Sequence, residues 1–420
     1  MSRVTIIGAG IVGAWTAIEC LRLGHEVTIV DPGDPGGRQA ASYGNGAWIM
    51  EASVLPVAMP GLWLQVPRLL LDRGGPLTIR WRNLPELAPW LARFMLSGAT
   101  LKRVEATARA RHELLREAVS RYETICEQAG LSDYIEAAGH LFVYPDEGAW
   151  RDDRLTWQFR GRYGHSWEEV KSEDLRRLEP GLGSDYRHAA FMSAGRNLND
   201  PGGLVRGLVS FAQSAGARLV KAQATAWRFE GDRLRAVMTD MGEVESDCAL
   251  VCAGIASREL ASKAGDRIPL ESERGYHIVL KDPEYVPLHP VMPSDGKMAV
   301  TMTRAGLRVA GQVELANAGA APDWRRADIL LDHLHRLFPS IPRRPDPGRL
   351  DRWIGHRPST PDGLPCLGFS SRSRNIIYGF GHGHSGIGMA PASARLLAEL
   401  ASDIRPSIDP EPYSARRFAQ

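Results

Sequence analysis

The first thirty-one residues constrain this chain more than any other part of it. Residues 4–10 (VTIIGAG) form an apolar run closing in glycines, the pattern of a strand buried on both faces. Residues 11–24 have helical spacing and end on Gly24, and residues 25–31 (HEVTIVD) form a second apolar run ending in an acid; a terminal glycine is a helix stop signal. The spacing predicts a β-α-β unit. At its first turn, Gly8, Gly10 and Gly13, with Ile11 and Val12, make a G-x-G-x-x-G motif. The glycines permit the tight turn, let the backbone approach a pyrophosphate and let the helix pack on the strand. The helix N-terminus then presents unpaired N–H groups to phosphate, and Asp31 is placed to accept from ribose hydroxyls. The implied ligand is a dinucleotide, and the motif alone does not separate nicotinamide from flavin.

The chain does not go on as a regular β-α-β-α-β half. A Gly/Pro-rich loop containing ASYGNG follows Asp31, then an apolar, Pro-broken stretch over 54–71 and the segment NLPELAPWLARFMLSG. These Trp-bearing stretches read as a buried helix pair, a substrate lid or a shallow membrane-docking surface. Residues 101–130 read as one long amphipathic helix with Leu114, Leu115, Ala118, Tyr122 and Ile125 on its apolar face. Residues 140–147 read as a strand, and 147–180 as charged helix. A second α/β section spans about 200–265 and closes in ALVCAG, a buried strand after a small meander. Strands ERGYHIVL, KMAVTMT and LRVAGQV and a helix near 323–338 come next. The last section reads as loop from 351, strand NIIYGF, glycine turn GHGHSGIG and helix. At 420 residues the chain holds two to three domains. The long detour and return mark a split dinucleotide domain.

Composition removes several classes. Fifty-one basic against 49 acidic residues leave no concentrated basic field, so a nucleic-acid binder is not expected. Five scattered cysteines without C-x-x-C argue against a disulfide framework or a zinc site. No apolar window reaches 18 residues and no secretory leader is read, so a soluble, cytoplasmic protein is expected. The second glycine turn, with Gly383, Gly386, Ile387 and Gly388 before a helix, is a second anion site. His382 and His384 match H-x-H, but no third ligand stands near in sequence, so no metal is expected. In ERGYHIVL, alternation puts Arg274 and Tyr276 on one face and His277 on the other; sequence leaves open which face meets a ligand. Arg308 is a candidate on the same sheet.

These segments, together with WIGHRPSTPDGLPCLG and YGFGHGHSGIGMAP, resemble the D-amino acid dehydrogenases of the D-amino acid oxidase superfamily over nearly the whole chain. Within that group they are similar to the branch that includes bacterial glyphosate oxidoreductase, which carries a GPL-I- segment like Gly75 to Ile79 here. The resemblance implies an α/β (α+β) fold, with a Rossmann-type FAD-binding domain (1–75, 195–265 and 351–420) interleaved with a mixed-sheet substrate domain (76–194 and 266–350). It implies FAD held by the first motif, by Ala41, Ser42 and Asn45, by Ala224, Ala253 and Gly254, and by the second glycine turn. It implies that Arg357 pairs with a substrate carboxylate, a task suited to a planar, always-charged fork; the alternative is pairing with Asp362 in the same loop. Arg274, Tyr276, His277 and His384 are the other candidate catalytic residues. The implied reaction is oxidative deamination of a D-amino acid, with hydride passing from the α-carbon to flavin N5 and no general base required. Oxidation of a secondary amine or N-substituted glycine (glyphosate, sarcosine or hydroxy-D-proline type), or service as a flavoprotein subunit of a larger complex, are the alternatives. The electron acceptor (quinone, respiratory chain or oxygen) stays open, as does peripheral contact with the inner face of the cell membrane. The sequence departs from the group at Asp31, where many members have Glu, and at His384, where several have a small polar residue.

Overall fold

The computed structural model describes residues 2–64, 72 and 74–419. The opening runs form β1 (Arg3–Ile7), α1 (Ile11–Arg22) and β2 (Glu26–Asp31), with β1 and β2 parallel from Arg3↔Glu26 to Ile7↔Val30. Gly8 has φ +109°, and a Cβ there would run into the Cys252 carbonyl. A Cβ on Gly13 would overlap the Gly8 carbonyl oxygen, so α1 can lie against β1 only without a side chain at that position.

The strands Arg218–Lys221, β2, β1, Cys248–Val251 and Ile376–Phe380 lie side by side in parallel, with Cys366–Phe369 antiparallel at the edge. Alternation along β1 splits the burial. Val4 and Ile6 pack under α1 and the C-terminal helix Gly386–Ala401, with Leu208, Leu250 and Leu397. Ile7 packs on the opposite face with Val30, Val251, Leu234 and Val237, the last two from the antiparallel meander Ala224–Glu230, Arg233–Thr239 and Gly242–Glu245.

A second, mixed sheet carries nine strands among the described residues. Its core order is Leu350–Ser359, Glu271–Leu280, Gly306–Leu315 and Ala299–Thr303, all antiparallel. Leu77–Ile79 joins the far end of Gly306–Leu315 in parallel. Helix Arg325–Leu337 covers one face, with Leu330 and Leu334 packed among Tyr276, Ile278 and Val309. The other face is turned toward the dinucleotide unit.

Three local expectations change. The helix expected over 101–130 is two, Leu101–Leu115 and Ala118–Ala129; the restart is held from outside, since Val119 N–H donates to the Glu51 carboxylate at 2.9 Å. Residues 147–180 include a strand, Glu168–Lys171, in which only Val170 is buried, so its alternation is nearly invisible. The segment from 351, expected as loop in the cofactor domain, is a ten-residue strand of the second sheet. It lies at the sheet edge, where Pro358 removes no needed ladder bond. Of the stretch 54–71, residues 65–71 lie outside the described residues.

Candidate active site

A cavity of about 1150 Å³ runs between the two sheets. It is lined by Gly8, Gly10, Ile11, Val12 and Asp31 of the opening β-α-β unit, and by Gly383, Gly386, Ile387 and Gly388 of the second glycine turn. Ala41, Ser42, Asn45, Ala224, Ala253 and Gly254 line it too. Of the predicted cofactor residues only Gly13 does not line it, being spent on helix–strand packing. The loop after β2 is tied to the helix start, since Ile11 N–H donates to Ser42 Oγ at 3.0 Å. Asp31 accepts at 2.7 Å from Ala9 N–H with one oxygen and at 2.7 Å from Gly33 N–H with the other. It therefore shapes the turn as well as facing the cavity.

Part of the cavity wall is built on a bulge. Opposite Arg274 and Tyr276 the neighbouring strand carries an extra residue, the pairing jumping from Glu314 to Gly311. Gln312 sits in that gap with φ +59°. The irregularity aims two carbonyls at one side chain: Arg357 donates to Gln312 O at 2.9 Å and to Gly311 O at 3.3 Å. The Arg357 guanidinium lies flat over Gly275, where a Cβ would stand 2.5 Å from Nη1. No carboxylate of the described residues is ion-paired with Arg357. Asp362, the alternative partner, is instead bound by Arg417 at 2.7 Å. Burial lowers the Arg357 pKa from its ordinary value, with Glu273 opposing.

Glu273, which the sequence reading did not single out, stands directly opposite Arg357 in the strand pair and lines the same cavity. Its carboxylate is hydrogen-bonded to His384 Nε2. Burial pushes the Glu273 pKa up, but the neighbouring His384 and Arg357 outweigh it and leave the group below its ordinary value. His382 turns away to Ser393 Oγ at 3.0 Å, and burial takes its pKa down to about 3. The wall beside Ser359 is apolar: Trp90 donates from Nε1 to Ser359 O at 3.2 Å and stacks on Phe94, and Leu91, Leu77, Ile79 and Leu315 continue the lining.

The open question of which strand face meets the cavity is answered by Glu273 and Gly275. Arg274 and Tyr276, substrate contacts only if their face were the one meeting the ligand, point to the opposite face. There the buried Glu314 carboxylate draws them in: Arg274 pairs with it at 3.2 Å, Tyr276 donates to it at 2.7 Å, and Arg80 pairs at 2.6 Å. His277 is on the cavity side but one layer behind it, stacked on Trp353 and bonded to Gly44 O at 3.3 Å. Arg308 donates to Tyr43 O at 2.6 Å, so it staples the loop after β2 to the second sheet. Arg111, also missed, is buried and holds Ser53 O, Gly363 O and Ser385 Oγ together. A helical run of basic residues gave no hint that one of them turns inward.

The donor set fits a dinucleotide of FAD size. The starts of two helices line one continuous cavity, and at the first of them a turn that only glycine can make, at Gly8, lets the backbone approach. The profile of the FAD dependent oxidoreductase family matches residues 3–400. The chain belongs to that family. It is 46% identical to a D-amino-acid oxidase of Bradyrhizobium diazoefficiens, with 99% of each chain covered. It is 31% identical to D-amino acid dehydrogenase 2 of Ralstonia nicotianae, covering 99% of this chain and 100% of that one. Among solved structures it shares the fold of glycine oxidase from Geobacillus kaustophilus, with TM-score 0.72, 20% identity and all of both chains covered. Iminodiacetate oxidase from Chelativorans sp. BNC1 is similar, with TM-score 0.71, 19% identity and 98% of each chain covered. The chain is thus an FAD-dependent oxidoreductase. No helix of the described residues is long and apolar enough to cross a membrane.

Proposed function

We propose that this enzyme oxidises the C–N bond of a D-amino acid with an apolar side chain. The observation that carries the reading is Arg357, laid on Gly275 and facing the cavity; among the described residues it bonds to carbonyls and has no ion-paired carboxylate. A site of that kind is complementary to a substrate carboxylate. The D-series comes from the names of the relatives above. The apolar side chain comes from the Trp90, Leu91 and Phe94 wall beside the arginine.

When bound, the flavin supplies the two-electron acceptor for the substrate's α-hydrogen. The chain orients and encloses. Gly383–Gly388 and the start of the C-terminal helix would hold the cofactor with backbone N–H groups that favour negative charge. Arg357 fixes the substrate carboxylate, and the Trp90–Phe94 wall excludes water from the reacting carbon. The six-stranded sheet with its meander is the proposed cofactor unit. The nine-stranded sheet, now including Leu350–Ser359, is the proposed substrate unit. Anaerobic mixing with a panel of D- and L-amino acids, prolines and N-substituted glycines tests the reading. Apolar D-amino acids are expected to bleach the flavin, and bleaching only by N-substituted glycines would transfer the assignment to secondary amines.

For the electron acceptor, Val57 and Trp81 are both exposed and cavity-lining, and Trp63 and Leu64 are exposed close by in sequence. This apolar mouth supports docking at a membrane surface and a quinone acceptor. Co-sedimentation with anionic vesicles is the expected result; recovery only in the supernatant, with rapid oxygen turnover, would favour an oxidase.

A further inference from the structure

We propose that Glu273 and His384 form a base dyad in which Glu273 positions the imidazole and His384 takes the proton of the substrate's α-ammonium before the α-hydrogen leaves. The proposal rests on the amine-oxidation reading above.

The geometry that carries it is asymmetric around one ring. Nε2 of His384 is tied to the Glu273 carboxylate. Nδ1 makes no hydrogen bond within the described residues, and the side chain, 39% exposed, lines the cavity. Glu273 is only 6% exposed, on a strand whose residues are buried almost throughout. Burying a carboxylate is costly unless it is paired, and its hydrogen-bonded partner is this histidine. A cavity-lining ring with one nitrogen held by a buried carboxylate and the other without a hydrogen bond is oriented as a base. Glu273 and Arg357 are paired across adjacent strands, about 5 Å apart at Cα. A carboxylate seated on Arg357 therefore brings the α-nitrogen of the same small molecule toward the dyad.

In the step, an N–H bond of the ammonium breaks and its electron pair stays on the substrate nitrogen. A Nδ1–H bond forms on His384, and the resulting imidazolium is balanced by Glu273. The freed lone pair is then available to form the C=N double bond as the α-hydrogen leaves with its two electrons, for which a bound flavin would be the acceptor. The proton returns to solvent as the product leaves. Among the described residues, the other charged or titratable groups named around the dyad hold partners of their own, and Arg357 keeps its charge free for the substrate carboxylate. Arg357 bonds to carbonyls, Arg111 to Ser53 O and Gly363 O, Asp362 to Arg417, His382 to Ser393, and His356 to Ser272 Oγ.

The test is anaerobic reduction of the flavin-loaded enzyme by its best D-amino acid, followed from about pH 6 to pH 10. The wild type is expected to show one acid limb and then a plateau. In Glu273→Gln the limb moves to lower pH, because a neutral amide no longer stabilises the imidazolium, and the plateau falls. His384→Asn is expected to lose about 10²- to 10⁴-fold near neutrality. Its rate then climbs tenfold per pH unit toward the ionisation of the substrate amine, so the deficit shrinks as pH rises. A loss equal at every pH, or an unchanged profile in a variant with full flavin content, overturns the proposal. If the variants fail to hold flavin, calorimetry of wild type with 2-aminoisobutyrate, which has no α-hydrogen, decides. One proton released to buffer below the limb and none above it is expected, and release above the limb overturns the proposal. A wild type that no amine reduces would instead refute the functional reading itself.

Discussion

Gly275→Ala is a sharp probe of the arginine site, because it leaves every charge in place. The added Cβ would stand 2.5 Å from Arg357 Nη1 and nearer still to Cζ and Nη2, where ordinary contact begins at 3.4 Å. The guanidinium must therefore move by about 1 Å, away from Gly311 O and Gln312 O. Misplacement of about 1 Å at a reacting site costs on the order of 100-fold. The strand itself tolerates alanine, since Gly275 is not in a left-handed conformation. The assay is kcat/KM for an apolar D-amino acid beside the amine that lacks its carboxylate, in protein of verified flavin content. The expected result is a loss of about 100-fold for the amino acid and little change for the bare amine. An equal loss for both would mean that Arg357 does not hold the carboxylate.

Three further outcomes follow from the same geometry. Asp31→Asn removes a carboxylate that accepts two backbone N–H groups at 2.7 Å; at about 1.5–3 kcal/mol for a charged hydrogen bond, flavin affinity is expected to fall about 10- to 100-fold on equilibrium dialysis, and unchanged retention would contradict the turn-shaping role. Arg111→Met leaves Ser53 O, Gly363 O and Ser385 Oγ without their donor and is expected to cost about 2–4 kcal/mol in urea unfolding; a change within about 0.5 kcal/mol would show that the three are satisfied another way. Burial holds His277 and His382 neutral, each with its pKa taken down to about 3. The unfolded chain takes up those protons below about pH 6.5, so their stabilisation is complete above that and is lost as pH falls toward about 3, at about 1.4 kcal/mol per pH unit for each. A urea midpoint that stays level between about pH 7 and pH 5 would contradict this.

The part of the fold readable from sequence is the part where local chemistry and tertiary demand coincide. The turn at Gly8 and the packing at Gly13 need glycine for backbone reasons, so the motif announces itself. The second glycine turn is legible for the same reason. The Glu271–Leu280 strand is different. It is covered by a helix on one face and by the cavity on the other, so nearly every residue is buried and the period-2 signal that would orient it vanishes. What turned Arg274 and Tyr276 away was Glu314, forty and thirty-eight residues on, a long-range pairing that no local pattern reports. Glu273 was hidden in the same way, since its partner lies in the second glycine turn. Leu350–Ser359 was obscured by its proline, which reads as loop unless the strand is known to be an edge.

The measurement that bears most directly on the central claim is the anaerobic visible spectrum of the purified holoenzyme, titrated with apolar D-amino acids and with their L-enantiomers. The flavin band is expected to bleach with the D-series, and Arg357→Ala is expected to retain the band but lose the bleaching. Bleaching by the L-series instead, or undiminished bleaching in Arg357→Ala, would contradict that claim.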